Sequence, residues 1–416
     1  MNQQQAASTR VEVIDIMRAI ALMGVLLVHI SYEFAGWGSV YSNPNALHDG
    51  QLSFADKVLN YFITIFLVNK SRALLSFLFG VSFYYQLNNY KGEEAKHKRW
   101  FAKRMGGLML IGLLHAYLLW SGDILRMYAV CGLLLMLVSK WKTPNILIGG
   151  LFFSFFLPTC IGIMQQHFPY NSITNAEKIA MYKDYSGSRF IDLFNANRLR
   201  DAAVTLNPYG ISGYLSEILG NFMLGFWAMK VNLFGRLASN KKMLYQYAGI
   251  SLVFGIAFSV SFIHLFVEKV LHLSEFKLPV AYLDMLDVLY RISQQAIGLF
   301  NIAVIIYLYF YTPFRYKLQL LIPLGRMSLT NYIMHSVMAV FLFNGVGLGL
   351  IGKYRPSIAF SIGILYFAIQ AVYSIWWLKR FTMGPLEYVW RSFIYGKRQT
   401  ISRTKLSKRA LQKASA

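Results

Sequence analysis

The chain has 416 residues, of which 56% are hydrophobic and only 14% charged, with mean hydropathy +0.43. A soluble globular domain carries about 25% charged residues, so a soluble protein is excluded and a polytopic membrane protein is expected. The net charge of +23 does not point to nucleic acid, because Lys and Arg fall mainly in short loops and the C-terminal tail.

Ten apolar segments could cross a hydrocarbon core of roughly 30 Å, which takes about 20 helical residues. They lie near 14–35, 58–88, 105–121, 123–139, 146–164, 211–229, 244–266, 288–311, 327–345 and 357–378. The first has no small-residue cleavage site near its end and reads as a retained helix. The second is too long for one straight crossing, and Asn69, Lys70 and Ser71 should divide it. Pro323 and Gly325 unsettle the start of the ninth. Cys131 and Cys160 sit inside apolar runs, which implies neither a disulfide framework nor a metal-thiolate site.

With the N-terminus inside, 25 of the 41 Lys and Arg fall on the cytoplasmic side and 10 on the other. That bias places both termini in the cytoplasm. The expected fold is therefore an all-α transmembrane bundle of about ten (9–11) spans, occupying residues 1–378. An interfacial helix (379–396) and a basic cytoplasmic tail (397–416) follow it. The hydrophilic stretch 165–210 is expected outside, as a small cap with helices in "NAEKIAMYKDY" and "IDLFNANRLRDAAV".

"GLLHAYLLWSGDILRMYAV", from Gly112, carries His115, Asp123 and Arg126 in the most apolar part of the chain. One helix from Met105 to Val138 would be about 50 Å long at 1.5 Å per residue, too long for the core. Basic residues flank both sides, so two short helices turning at "SGD" are expected. His115 then lies near mid-membrane and Asp123 at the outer turn, with Arg126 as an alternative partner for the acid.

Ionisable residues within spans cost about 2.5–3.5 kcal/mol on insertion scales and are functional candidates until paired. Asp15 and Arg18 share one face and should pair. His29 and Glu33 stand at i, i+4, where a carboxylate could orient the imidazole as a proton-transfer dyad. His115 and Asp123 form the second candidate, with helix–helix glue as the plainer account. Outside, "NALHDGQLSFADKVL" offers His48, Asp49 and Asp56, and Glu217 lies at the outer end of its span. No Walker sequence, dinucleotide fingerprint, HExxH or G-x-S-x-G elbow occurs.

Several stretches resemble the YeiB-like bacterial membrane proteins: "IDIMRAIALMGVLLVHI", "LLSFLFGVSFYY" and "GLLHAYLLWSGDILRMYAV". "LGRMSLTNYIMHS" and "FTMGPLEYVWRSFIYG", within about 225–396, resemble the domain of unknown function 418. The resemblance implies a multi-pass protein of the bacterial cytoplasmic membrane, related to transmembrane acyltransferases such as the heparan-glucosaminide acetyltransferases. Those move an acyl group from cytoplasmic acyl-CoA, chiefly acetyl-CoA, to an amine or hydroxyl across the membrane. One departure is His29, where the family usually carries asparagine.

On this resemblance the general base is His29, His48 or His115, assisted by Glu33 or Asp123. Arg72, Arg326, Arg380 and Arg391 are candidate clamps for the CoA phosphates. Glu387 and Arg391 in "GPLEYVWR" should pair at i, i+4. The expected acceptor is an extracytoplasmic glycan, peptide or lipid. Membrane lipid is the expected surrounding, a homodimer is allowed, and neither a metal nor nucleic acid is expected. The rival reading is a transporter or export factor in which His115, Asp123 and Glu33 relay protons or bind substrate.

Overall fold

The computed structural model describes residues 3–35, 52–89, 93–168, 174–270 and 280–403. Among these residues eighteen α-helices follow one another in chain order. The first seven are α1 (Gln3–Val28), α2 (Phe54–Phe66), α3 (Lys70–Asn89), α4 (Glu94–Leu118), α5 (Leu125–Val138), α6 (Thr143–Leu151) and α7 (Leu157–His167). Then come α8 (Asn175–Tyr185), α9 (Phe190–Arg200), α10 (Pro208–Lys230), α11 (Leu233–Ser239), α12 (Lys241–Val270) and α13 (Val280–Tyr311). The last are α14 (Arg315–Leu318), α15 (Ile322–Arg326), α16 (Ser328–Phe343), α17 (Pro356–Arg380) and α18 (Pro385–Tyr395). Among the described residues the only β pairing is an isolated bridge between Phe381 and Ser402.

Among the described residues, six helical segments are long and apolar enough to cross a membrane: Glu12–Phe34, Phe54–Asn88, Thr143–Gln165, Lys241–Val260, Val288–Tyr311 and Pro356–Arg380. The other four segments read as crossings are also helical, as α4, α5, α10 and α16, but fall below that measure in length or apolarity. The expected breaks are present. Asn69 adopts φ 61° between α2 and α3, a left-handed conformation that asparagine tolerates and that stops a helix. Residues 119–124 separate α4 from α5, and Met327 separates α15 from α16. Both predicted cap helices form, as α8 and α9.

α1 is the axis of the bundle and contributes side chains to all three apolar cores. Within its spanning window 72% of residues are buried, against 22% for the α12 window, whose apolar face forms the perimeter. α3 and α10 meet backbone to backbone. A Cβ at Gly80 would lie 1.9 Å from the Phe222 carbonyl oxygen, and one at Gly225 would lie 1.9 Å from that of Phe77. Small residues of this kind permit close helix contact where lipid supplies no hydrophobic drive.

At one end of the bundle α8 and α9 close over the ends of α1 and α4. Phe34, Trp120, Tyr185, Leu193 and Ala196 share a core there. At the opposite end the amphipathic α18 lies against α4. Trp390 Nε1 donates to the Arg104 carbonyl oxygen at 3.2 Å, and the Arg104 guanidinium sits 4.2 Å from the Trp390 ring centre.

Candidate functional site

The α4–α5 hairpin brings His115 and Asp123 together. Residues eight apart could not meet along one helix, but the reversal at 119–124 folds the acid back against the imidazole. His115 Nδ1 lies 2.9 Å from Asp123 Oδ1. Gly112, one turn before the histidine, makes room for this, since a Cβ there would fall 2.8 Å from both Asp123 Oδ2 and the Arg126 amide nitrogen. That amide donates to Asp123 Oδ2 at 2.9 Å, so the carboxylate also caps the start of α5.

The other imidazole nitrogen is engaged by α16. His115 Nε2 lies 2.8 Å from Ser336 Oγ. With Nδ1 donating to the carboxylate, Nε2 is the nitrogen that accepts the Ser336 hydroxyl hydrogen. Asp123, His115 and Ser336 are 4%, 2% and 3% exposed. An acid, an imidazole and a hydroxyl thus stand in line in a buried interior, the layout in which an imidazole can take a hydroxyl proton.

Arg126 is not the main partner of Asp123. Its guanidinium forks onto Asp201, at 2.7 and 2.8 Å, while its Nε remains 3.4 Å from Asp123. Arg200 fastens the cap to two places: Nη2 donates to Glu33, just beyond α1, at 3.0 Å, and Nη1 to Ser121 Oγ on the hairpin turn at 3.3 Å. Asn197 accepts from the Ser121 amide at 3.2 Å and donates to the Tyr117 carbonyl at 3.3 Å.

The expected His29–Glu33 dyad does not form. Residues His29–Phe34 wind as a π-helix, with the Ala35 amide bonded to the Ile30 carbonyl five residues back. In that winding i, i+5 replaces i, i+4 as the stacked spacing. His29 therefore meets the edge of Phe34, with ring centres 6.5 Å apart, and Glu33 turns to Arg200. His48 and Asp49 lie outside the described residues. Asp56 serves structure: it forms a capping box with Ser53 and accepts from the Ser357 amide at 3.2 Å, tying α2 to the start of α17.

Below the relay lies a cavity of about 450 Å³. Arg18, Arg104, Arg326 and Arg391 line it, with Tyr128 and Tyr332 among its inner residues. The Tyr332 ring lies 5.2 Å from the His115 ring, and Tyr332 is one turn before Ser336 on α16. Arg18 is held by Asp15 at 2.5 Å, the expected pair. Among the described residues Arg104, Arg326 and Arg391 make no direct ion pair with a carboxylate, although Asp15 acts on Arg326 at longer range.

Two of the four expected clamps, Arg326 and Arg391, therefore line the cavity. Arg72 is committed to Glu217, at 2.9 and 3.1 Å, and covers the Tyr214 ring. Arg380 stacks on Trp376 and does not line the cavity. The expected Glu387–Arg391 pair is also replaced. Glu387 accepts from the amides of Leu329 and Thr330, at 2.8 and 3.0 Å, and from Thr330 Oγ1 at 2.5 Å. It caps α16 from another helix, which leaves Arg391 free to face the cavity. Burial pushes the Glu387 carboxyl above its ordinary value, against the pull of these donors.

Sequence reasoning missed Ser336, Arg18 and Arg104 as site residues. "IMHS" did carry a signal, a histidine and a serine side by side in an apolar helix. The adjacent His335 faces the other way, with Nε2 2.8 Å from Gln370 Oε1.

A family model described as "Protein of unknown function (DUF418)" matches residues 228–397. The "Uncharacterized protein YxaH" of Bacillus subtilis (strain 168) is 29% identical over 96% of this chain and 98% of its own length. The "Uncharacterized protein YeiB" of Escherichia coli (strain K12) is 26% identical over 91% and 94%. The "Uncharacterized 39.9 kDa protein in amylase 3'region" of Bacillus acidopullulyticus is 26% identical over 94% and 96%.

Proposed function

The chain belongs to the YeiB-like family, and for this member we propose membrane-embedded acyl transfer from cytoplasmic acyl-CoA to an acceptor on the far side. The observation that carries the reading is the buried Asp123–His115–Ser336 line standing above an arginine-lined cavity. In this reading the arginine end faces the cytoplasm, where the basic loops and both termini lie, and the α8–α9 cap faces outward. The chain makes ten crossings of the bacterial inner membrane, with the short α5 and α16 packed beside longer helices.

The donor suits the cavity. Arg104, Arg326 and Arg391 make no direct ion pair among the described residues and would hold the phosphates, with Arg18 beside them. The apolar wall of Leu22, Phe79, Leu108 and Leu125 would take the less polar arm that leads toward Tyr332. The donor supplies an activated acyl group as a thioester. His115 holds and returns the proton of the attacking group. Asp123 keeps the imidazole in the required tautomer and offsets its charge when it is protonated.

The test is purified protein in proteoliposomes supplied with acetyl-CoA labelled in the acetyl group. Sustained CoA release should require an acceptor and should fall more than about a hundredfold in His115→Ala. Proteoliposomes that move solute in a His115-dependent way while releasing no CoA would replace this reading with the transporter one.

A further inference from the structure

Resting on the acyl-transfer reading, we propose that Ser336 is the nucleophile and that transfer passes through an acyl ester on its hydroxyl. His115 Nε2, the only basic nitrogen of the relay, is already committed to Ser336 Oγ at 2.8 Å. The first proton within its reach is therefore the serine's, not that of an external acceptor.

The serine is also released from the role such residues usually take in helices. Ser76, Ser82 and Ser361 each bond the carbonyl four residues back, to Arg72, Leu78 and Ser357 at 2.9, 2.6 and 2.9 Å. Ser336 instead turns across the bundle to a histidine 221 residues away. An exchanging hydroxyl also bridges a spatial gap. The cavity lies on one side of α16's Tyr332, and the cap lies on the other side of the relay.

The chemistry balances in two halves. Ser336 Oγ attacks the thioester carbonyl carbon and its proton passes to His115 Nε2. The carbon–sulfur bond breaks, and the CoA sulfur leaves with that proton. An acceptor amine or hydroxyl then attacks the ester carbonyl and gives its proton to His115. Ser336 Oγ departs and takes the proton back. The Tyr332 hydroxyl accepts from the Ile124 amide at 3.3 Å, which leaves its own O–H to donate to the carbonyl oxygen in both halves.

The test is peptide mass spectrometry on the full-length protein after incubation with acetyl-CoA and no acceptor. One acetyl group should appear on the Ser336 peptide, with one equivalent of CoA released. Added hydroxylamine, as a small surrogate acceptor, should remove it and yield acetohydroxamate. Ser336→Ala should lose the label and more than about a hundredfold of the hydroxamate rate, while melting as the wild type does. Ser336→Cys should carry the acetyl group as a thioester, which neutral hydroxylamine cleaves faster than an ester.

Hydroxamate formation by Ser336→Ala within a few-fold of wild type, with no acetylated serine in the wild type, would overturn the intermediate. Direct transfer with His115 as base, and hence the proposed function, would then stand. No CoA release from any form would overturn both.

Discussion

The two ends of the bundle handle their arginines differently: the cap end pairs buried ones with acids, and the cavity end leaves Arg326 and Arg391 exposed. Under the cap three arginines each have an acid: Arg126 has Asp201, Arg200 has Glu33, and Arg72 has Glu217, while the buried Lys70 donates to the Thr64 carbonyl at 2.8 Å. Around the cavity Arg104, Arg326 and Arg391 make no direct ion pair among the described residues, although Asp15 acts on Arg326 at longer range, and the nearby acid Glu387 is spent on capping α16. A paired charge holds helices together, whereas an unpaired one keeps its field for something that arrives. His115 lies between the two regimes, its acid on one side and its hydroxyl on the other.

The sharpest way to break the comparison is at the relay. Asp123→Asn can still cap α5 but lets the imidazole adopt the wrong tautomer, and should lower turnover by about 10³–10⁴-fold. A split tells this apart from misfolding: turnover collapses while acetyl-CoA affinity, measured by equilibrium binding, stays within a few-fold of wild type.

Next in size is the cap. Asp201→Ala leaves the buried Arg126 guanidinium only its 3.4 Å contact with Asp123 as an ion pair and should destabilise the protein by about 3 kcal/mol in detergent denaturation. The double change Arg126→Met with Asp201→Leu should restore most of that loss, because matched apolar residues can replace a buried pair. A smaller effect is expected at the cavity. Arg391→Ala should weaken acetyl-CoA binding about tenfold, or about 1.4 kcal/mol, more at low salt than at high, without shifting Tm.

The smallest effect belongs to the exposed start of α4. Hydrogen bonds from Lys140 and Lys98 hold the Glu94 carboxyl down at about 2 from 4.5. Its contribution is present above the unfolded value and is lost as pH falls toward 2. The difference in Tm between wild type and Glu94→Gln should be slight at neutral pH and absent near pH 2, since surface pairs are screened. A cavity arginine that lowered Tm as strongly as Asp201→Ala would erase the distinction between the two ends.

What the sequence made legible was local. The length of 105–138 required a turn, Asn69 stopped a helix, and "NAEKIAMYKDY" formed α8 behind its Thr174 capping box. What it concealed was mostly cross-helix pairing. Ser336 lies 221 residues from His115, and no periodicity encodes which of several spans faces another. The i, i+4 rule failed twice for physical reasons. A π turn rotated Glu33 away from His29, and the unsatisfied amides at the start of α16 outbid Arg391 for Glu387.

The most direct measurement of the central claim is CoA released per protein after rapid mixing with acetyl-CoA, in wild type and His115→Ala. The account predicts a burst of one equivalent in the wild type, continued turnover only when an acceptor or hydroxylamine is present, and no burst in the variant. A burst of equal size in His115→Ala, or no release from the wild type beside His115-dependent solute movement, would contradict it.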